Sequence, residues 1–236
     1  MKIIISESKT MNIRETQTTS TPIFYEKSKE IESHLKNMTI EELKQLWKTN
    51  DKLTTLNYEK LHSKEAIKTP ALLAYDGLKF KNIKADTLCE EEINHLNECL
   101  IILSGFYGML KPMDGIAHHR LEMQSKISIS DKNNLYEYWR EDVEKELRGN
   151  TILNLASNEY SKLIKNLPVV NCVFASEDGE KIKVKATEAK IARGTMVNFI
   201  AKNKIRNLEE VKSFSLLNYS FSDKLSSEDD YIFIKK

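Results

Sequence analysis

Three short apolar runs, each closing in a cluster of hydroxyl, amide or glycine residues, constrain this chain more than any other feature. Ile3–Ile5 ends in Ser6, Glu7, Ser8, Lys9 and Thr10; Ile101–Leu103 ends in Ser104, Gly105, Tyr107 and Gly108; Ile152–Leu155 ends in Ser157, Asn158, Glu159 and Tyr160. Runs this short and apolar, bounded by turn formers, read as buried strands. Long helical patterns separate them, so the strands are expected to lie parallel in a sheet with helices packed on it. Their polar carboxyl ends then gather on one side, where open α/β sheets place ligands.

The intervening segments fill in the rest. A helix is expected from near Ile23 towards Lys36, then one opened by the capping box Thr39…Glu42, with Leu43, Leu46 and Trp47 as its apolar stripe. Thr49–Lys52 interrupts it, and a partner helix follows with Leu53, Leu56 and Leu61 on one side. Ala71–Tyr75 closes in an Asp76-Gly77 turn. Glu90–Glu98 reads as an acidic helix, and Leu135–Leu147 as a helix burying Tyr138, Trp139 and Val143. Val169–Ala175 is a further strand. The turn 176–179 leads to a half-exposed antiparallel strand over Lys181–Thr187 and then a helix over 187–204. Phe214–Phe221 and Tyr231–Ile234 read as edge strands. The expected architecture is one α/β domain over 1–236, with a mixed, largely parallel sheet flanked by helices.

Composition narrows the function. Among 236 residues, 40% are hydrophobic and 30% charged, a globular balance. No apolar stretch approaches the roughly 18 residues of a membrane span, and the N-terminal apolar run is too short for an export signal. Cys89, Cys99 and Cys172 are odd in number without C-x-x-C spacing, which fits a reducing cytoplasm. Net charge is only +1, but Lys181–Arg206 carries eight Lys/Arg against one acid, Glu188. That run is either a phosphate-binding face or a solvated helix face.

Lys9, Arg120 and Arg193 are the cations expected in the strand-end crevice, facing a phosphate, a nucleotide or a nucleic-acid backbone. Gly105-Phe106-Tyr107-Gly108 fits a G-x-x-G phosphate clamp with Lys111 beside it, or a tight turn burying its aromatics. Neither G-x-G-x-x-G nor a GK[ST] loop occurs, so no dinucleotide or P-loop cofactor is expected. His118, His119 and Glu122 lack the spacing of a metal site, and none is expected. Gly194, inside a helix, implies that a ligand or another helix approaches closely there.

Taken in order, Ile5-Ser6-Glu7-Ser8-Lys9-Thr10, Ala74-Tyr75-Asp76-Gly77, Leu103–Asp114, Arg120-Leu121-Glu122-Met123, Leu135–Trp139, Asn154–Tyr160 and Lys190–Gly194 resemble the YaaA-type peroxide-stress protein family across the whole chain. The chain departs from the family's S-P-A-K-T at Glu7 and Ser8, and carries Lys111 where the family has arginine. Lysine offers a point charge in place of a bidentate fork. The resemblance implies an unusual α/β fold with a helix–hairpin–helix element, DNA binding, and protection from hydrogen peroxide through lowered free iron. By resemblance the 39–62 helix pair, with Lys48, Asn50 and Lys52 at its turn, is the candidate element; the 104–111 loop is its rival.

Two functions follow. One is a DNA-binding stress protein meeting duplex, damaged or branched DNA through Ser6, Lys9, Thr10, Ser157, Lys190, Arg193 and the hairpin lysines. The other is an enzyme on a nucleotide or nucleobase, with Lys9 as electrophile or nucleophile and Asp114 or Glu159 as acid–base groups. Direct iron sequestration is a weaker third.

Overall fold

The β-branched Ile3, Ile4 and Ile5 sit at the centre of the sheet, fully buried, because both faces of their strand are covered by helices. The computed structural model describes residues 1–18, 20–63, 68–178 and 181–236. Strands are β1 (Lys2–Ser6), β2 (Thr69–Pro70), β3 (Leu100–Ser104), β4 (Gly108–Leu110), β5 (Gly115–Ile116), β6 (Ile152–Asn154), β7 (Val170–Asp178), β8 (Lys181–Lys183), β9 (Tyr219–Phe221) and β10 (Asp230–Lys235). Helices are α1 (Tyr25–Lys36), α2 (Ile40–Trp47), α3 (Asp51–Leu61), α4 (Ala71–Ala74), α5 (Leu78–Ile83), α6 (Glu90–Cys99), α7 (Leu135–Leu147), α8 (Asn158–Ser161), α9 (Ala186–Lys202) and α10 (Leu208–Val211).

Among the described residues the main sheet runs β4-β3-β1-β6-β7-β10-β9, with β8 paired to β7. β1 pairs in parallel with β3 and β6, and β7 in parallel with β6 and β10. The β3–β4, β7–β8 and β9–β10 pairs are antiparallel. The domain is therefore α/β with a mixed, mostly parallel sheet, as expected. From β1 the chain crosses first to β3 on one side and later to β6 on the other. This reversal makes the carboxyl end of β1 a topological switch point, where two neighbouring loops diverge and leave a crevice.

Several local expectations change. β10 lies between β7 and β9, so Tyr231–Ile234 is interior and only β9 is an edge; of Phe214–Phe221, only Tyr219–Phe221 is strand. The expected strand over Lys181–Thr187 stops at Lys183, and Ala186 already belongs to α9. The expected turn at 176–179 is strand through Asp178, and residue 179 lies outside the described residues. In α3, Leu53 and Leu56 face solvent while Thr54, Asn57 and Leu61 are buried. Polar groups can occupy that face because each is satisfied. Thr54 bonds the Thr49 hydroxyl (2.7 Å), and Asn57 bonds Leu53 O (2.7 Å) and His118 Nε2 (2.8 Å).

Candidate functional site: a cationic crevice at the strand ends

The loop after β1 is held from two sides. Ser6 Oγ accepts from the Ser157 backbone N–H at 2.9 Å, tying the end of β1 to the start of α8. Asp76 N–H donates to Thr10 O at 2.8 Å, and Thr10 Oγ1 donates to Asp76 O. Gly77 packs closely here: a Cβ would meet Ser8 Oγ and oblige that hydroxyl to rotate away. The Tyr75-Asp76-Gly77 segment thus clamps residues 8–10 over the sheet.

Beneath this loop lies a buried carboxylate. Glu7 Oε1 accepts from Gly105 N–H (2.8 Å) and Tyr160 OH (2.8 Å); Glu7 Oε2 accepts from Ser104 Oγ (2.7 Å) and Tyr75 OH (3.0 Å), with His119 Nε2 at 3.3 Å. Burial alone would raise this carboxyl's pKa. The contacts from His119, Ser104 and Gly105 more than offset that and hold it below the ordinary value. Burial, and then the Glu7 charge, push the Tyr75 and Tyr160 hydroxyls well above theirs, so both remain donors. Glu7 joins the ends of β1 and β3, α8 and the loop at His119 into one rigid floor.

Above that floor opens a cavity of about 330 Å³ lined by Ser6–Lys9, Gly77–Phe80, His119–Glu122, Ser157, Glu159, Tyr160, Lys190 and Arg193. Its charged lining is five cations (Lys9, Lys79, Arg120, Lys190, Arg193) against three carboxylates (Glu7, Glu122, Glu159). Glu7 is already satisfied within the floor. Glu122 pairs with Lys9 at 2.6 Å and lies 3.9 Å from Arg120. Glu159 accepts from Gln124 N–H at 3.2 Å, and burial raises its pKa above the ordinary carboxylate value.

Arg193 is the decisive cation. Burial opposes its charge, and no carboxylate pairs with it among the described residues; its Nε is enclosed without a partner, as is Arg120 Nε. A half-buried guanidinium without a carboxylate partner favours an anion in the cavity it lines. Lys79 adds to the field. Its Nζ donates to Ser6 O, and burial, followed by the Arg193 charge, lowers its pKa to about 7. The side chain is partly accessible through the cavity mouth while the amine is enclosed.

The structure brings Ser6, Lys9, Arg120, Ser157, Glu159, Lys190 and Arg193 into this cavity, with Thr10 on its supporting loop. Other expected site residues lie elsewhere. Asp114 is buried and accepts from Ser20 Oγ (2.6 Å) and Lys111 N–H (2.8 Å), stapling the loop after β4, which corrects its proposed acid–base role. Gly105, Tyr107 and Gly108 are buried, so the phosphate clamp is a tight turn instead. Gly105 packs on the Leu121 carbonyl and Gly108, at φ +72°, on Trp139, while Ser104 Oγ takes up the Phe106 and Tyr107 N–H groups. Lys111 is exposed on that loop. Lys48, Asn50 and Lys52 line no part of the cavity. Lys48 and Asn50 lie in the short turn between α2 and α3, where Asn50 caps α3 and Lys48 takes a left-handed conformation, and Lys52 lies in the first turn of α3.

The basic 181–206 run divides. Lys190 and Arg193 face the crevice, but Lys202, Lys204 and Arg206 pair with Glu92, Glu91 and Glu98 of α6. Gly194 is explained by a helix: a Cβ would stand 2.1 Å from Lys79 O, so α9 and α5 touch backbone to backbone. That contact also places Lys79 beside Arg193. Sequence reasoning missed Lys79 and the role of Glu7; the close helix approach implied by Gly194 was the available signal for Lys79.

Among the described residues no helix is long and apolar enough to cross a membrane, and no three His, Cys, Asp or Glu residues gather as a metal site. Sheet reversal and cavity together define an open-sheet α/β protein with a lysine- and arginine-lined switch-point crevice. The family described as peroxide stress protein YaaA matches residues 1–225. The chain is 42% identical to a UPF0246 protein of Lachnoclostridium phytofermentans (100% of this chain, 96% of that protein). It is 39% identical to a UPF0246 protein of Clostridioides difficile, with both chains covered in full. The chain belongs to the peroxide stress protein YaaA family.

Proposed function

We propose that the chain serves peroxide stress in the cytoplasm by binding DNA through a phosphate seated in the switch-point crevice, limiting iron-dependent oxidative damage at the DNA itself. The carrying observation is the half-buried Arg193 side chain on the cavity wall, which no carboxylate pairs among the described residues, flanked by Lys190, Lys79 and Arg120. Counterion release makes such binding salt-dependent. DNA affinity measured from 50 to 200 mM salt should fall steeply, and Arg193→Met should weaken binding at least tenfold and flatten the slope. Affinity indifferent to salt and to Arg193→Met would remove this reading.

A second reading has its own observation. Lys79, whose pKa burial lowers to about 7, shares one cavity with Glu159, whose pKa burial raises, and an amine titrating near neutrality suits acid–base or nucleophilic work on a nucleotide. Lys9 is less suited, being exposed and paired with Glu122. In this reading Lys79→Met abolishes turnover of a nucleotide substrate while DNA affinity persists; equal loss of both favours binding alone.

A further inference from the structure

The crevice does not end at Arg193. A second hollow of about 560 Å³ opens on its far side, and Ser157, Glu159, Lys190 and Arg193 line both. The remaining wall of this outer hollow is chemically different: Val173, Phe174, Val184, Ala186 and Ala189, joined by Asn158. Val184 is 51% exposed, an apolar side chain held in solvent beside an unpaired guanidinium. The site is therefore bipartite, with cationic groups in the inner lobe, an apolar shelf in the outer lobe, and Arg193 and Lys190 at the junction.

We propose that the crevice takes a single unpaired nucleotide unit, its phosphate at Arg193 and Lys190 and its base laid on the Val184–Ala189 shelf. This rests on the anion-binding reading above and specifies its ligand. A phosphate alone would leave the shelf unused. A paired duplex presents its phosphates on the outside, with its bases stacked out of reach of a pocket beyond one phosphate, whereas an unpaired base can turn onto an apolar wall. Asn158, a donor and acceptor at the rim, can meet the polar edge of such a base. The unit has two sources, a free nucleoside 5′-monophosphate or a splayed residue of single-stranded DNA.

Titration calorimetry on the full chain at low salt tests this with inorganic phosphate, ribose 5-phosphate, adenosine 5′-monophosphate and a short oligothymidylate. The expected result is at least tenfold tighter binding of the monophosphate or the oligonucleotide than of ribose 5-phosphate. Two uncharged polar substitutions at exposed positions, Val184→Asn and Ala186→Ser, should remove that advantage and leave ribose 5-phosphate affinity within twofold. Shelf-dependent binding of the free monophosphate identifies a nucleotide as the source, and shelf-dependent binding confined to the oligonucleotide identifies DNA. Equal affinity for all phosphates, unchanged by either variant, overturns the shelf and leaves the anion site standing. Failure of every ligand to bind, with Arg193→Met no different, overturns both.

Discussion

Replacing Lys79 by methionine removes a cation that folding encloses between α5 and α9. Its pKa falls from 10.5 to about 7 in the folded protein. The unfolded chain therefore binds a proton more tightly, and stability rises with pH between those values. The cost of the buried charge is fully present below pH 7 and is relieved progressively from pH 7 towards 10.5. At about 1.4 kcal/mol per pH unit, the gain from pH 7 to 9 is at most about 2.5 kcal/mol. Water in the open cavity screens part of it, leaving about 1–2 kcal/mol. Lys79→Met keeps the stem's packing and loses the bond to Ser6 O, worth about 1 kcal/mol. Urea unfolding of both proteins at pH 6, 7, 8 and 9 reads the difference. The variant should be more stable at pH 6, and its lead should shrink by about 1–2 kcal/mol by pH 9. A lead independent of pH would refute the enclosed amine.

Other outcomes follow from the same geometry. Glu7→Gln should cost about 3 kcal/mol in urea unfolding, since four donors lose their acceptor charge. Because the folded Glu7 pKa lies below 4.5, wild-type stability from this group holds above that value and is lost as pH falls through the folded pKa; the variant should lack that acid limb. Gly194→Ala should destabilise by about 2–3 kcal/mol by forcing α9 off the Lys79 carbonyl. Leu53→Lys and Leu56→Lys should each change stability by less than about 0.5 kcal/mol, as both side chains face solvent.

Legibility followed burial pattern. β1, β3 and β6 were readable because buried strands are apolar throughout and their polar ends break abruptly at Ser6, Ser104 and Ser157. α7 was readable because Leu135, Tyr138, Trp139, Val143 and Leu147 share one buried face. α3 misled because leucine spacing alone cannot reveal that Asn57 and Thr54 find partners and take the inner face. Tyr107 looked like a ligand contact by composition, but its ring packs on Phe106 and His119 and its hydroxyl accepts from Ala117 N–H. The role of Glu7 was not legible, since the groups around its carboxylate come from Tyr75, Ser104, Gly105, His119 and Tyr160, all distant in sequence. The same holds for Lys79, whose amine is enclosed only because Gly194 lets α9 approach. The acids of α6 and the cations at the end of α9 were both noticed, but not that they neutralise one another.

The most direct measurement is a crystal structure of the protein soaked with a phosphate-bearing nucleotide. An anion bonded to the cavity-facing side of the Arg193 guanidinium, with Lys190 and Arg120 around it, is the predicted result. Density for the anion at the Lys48–Lys52 turn between α2 and α3, with the Arg193 crevice empty, would contradict it.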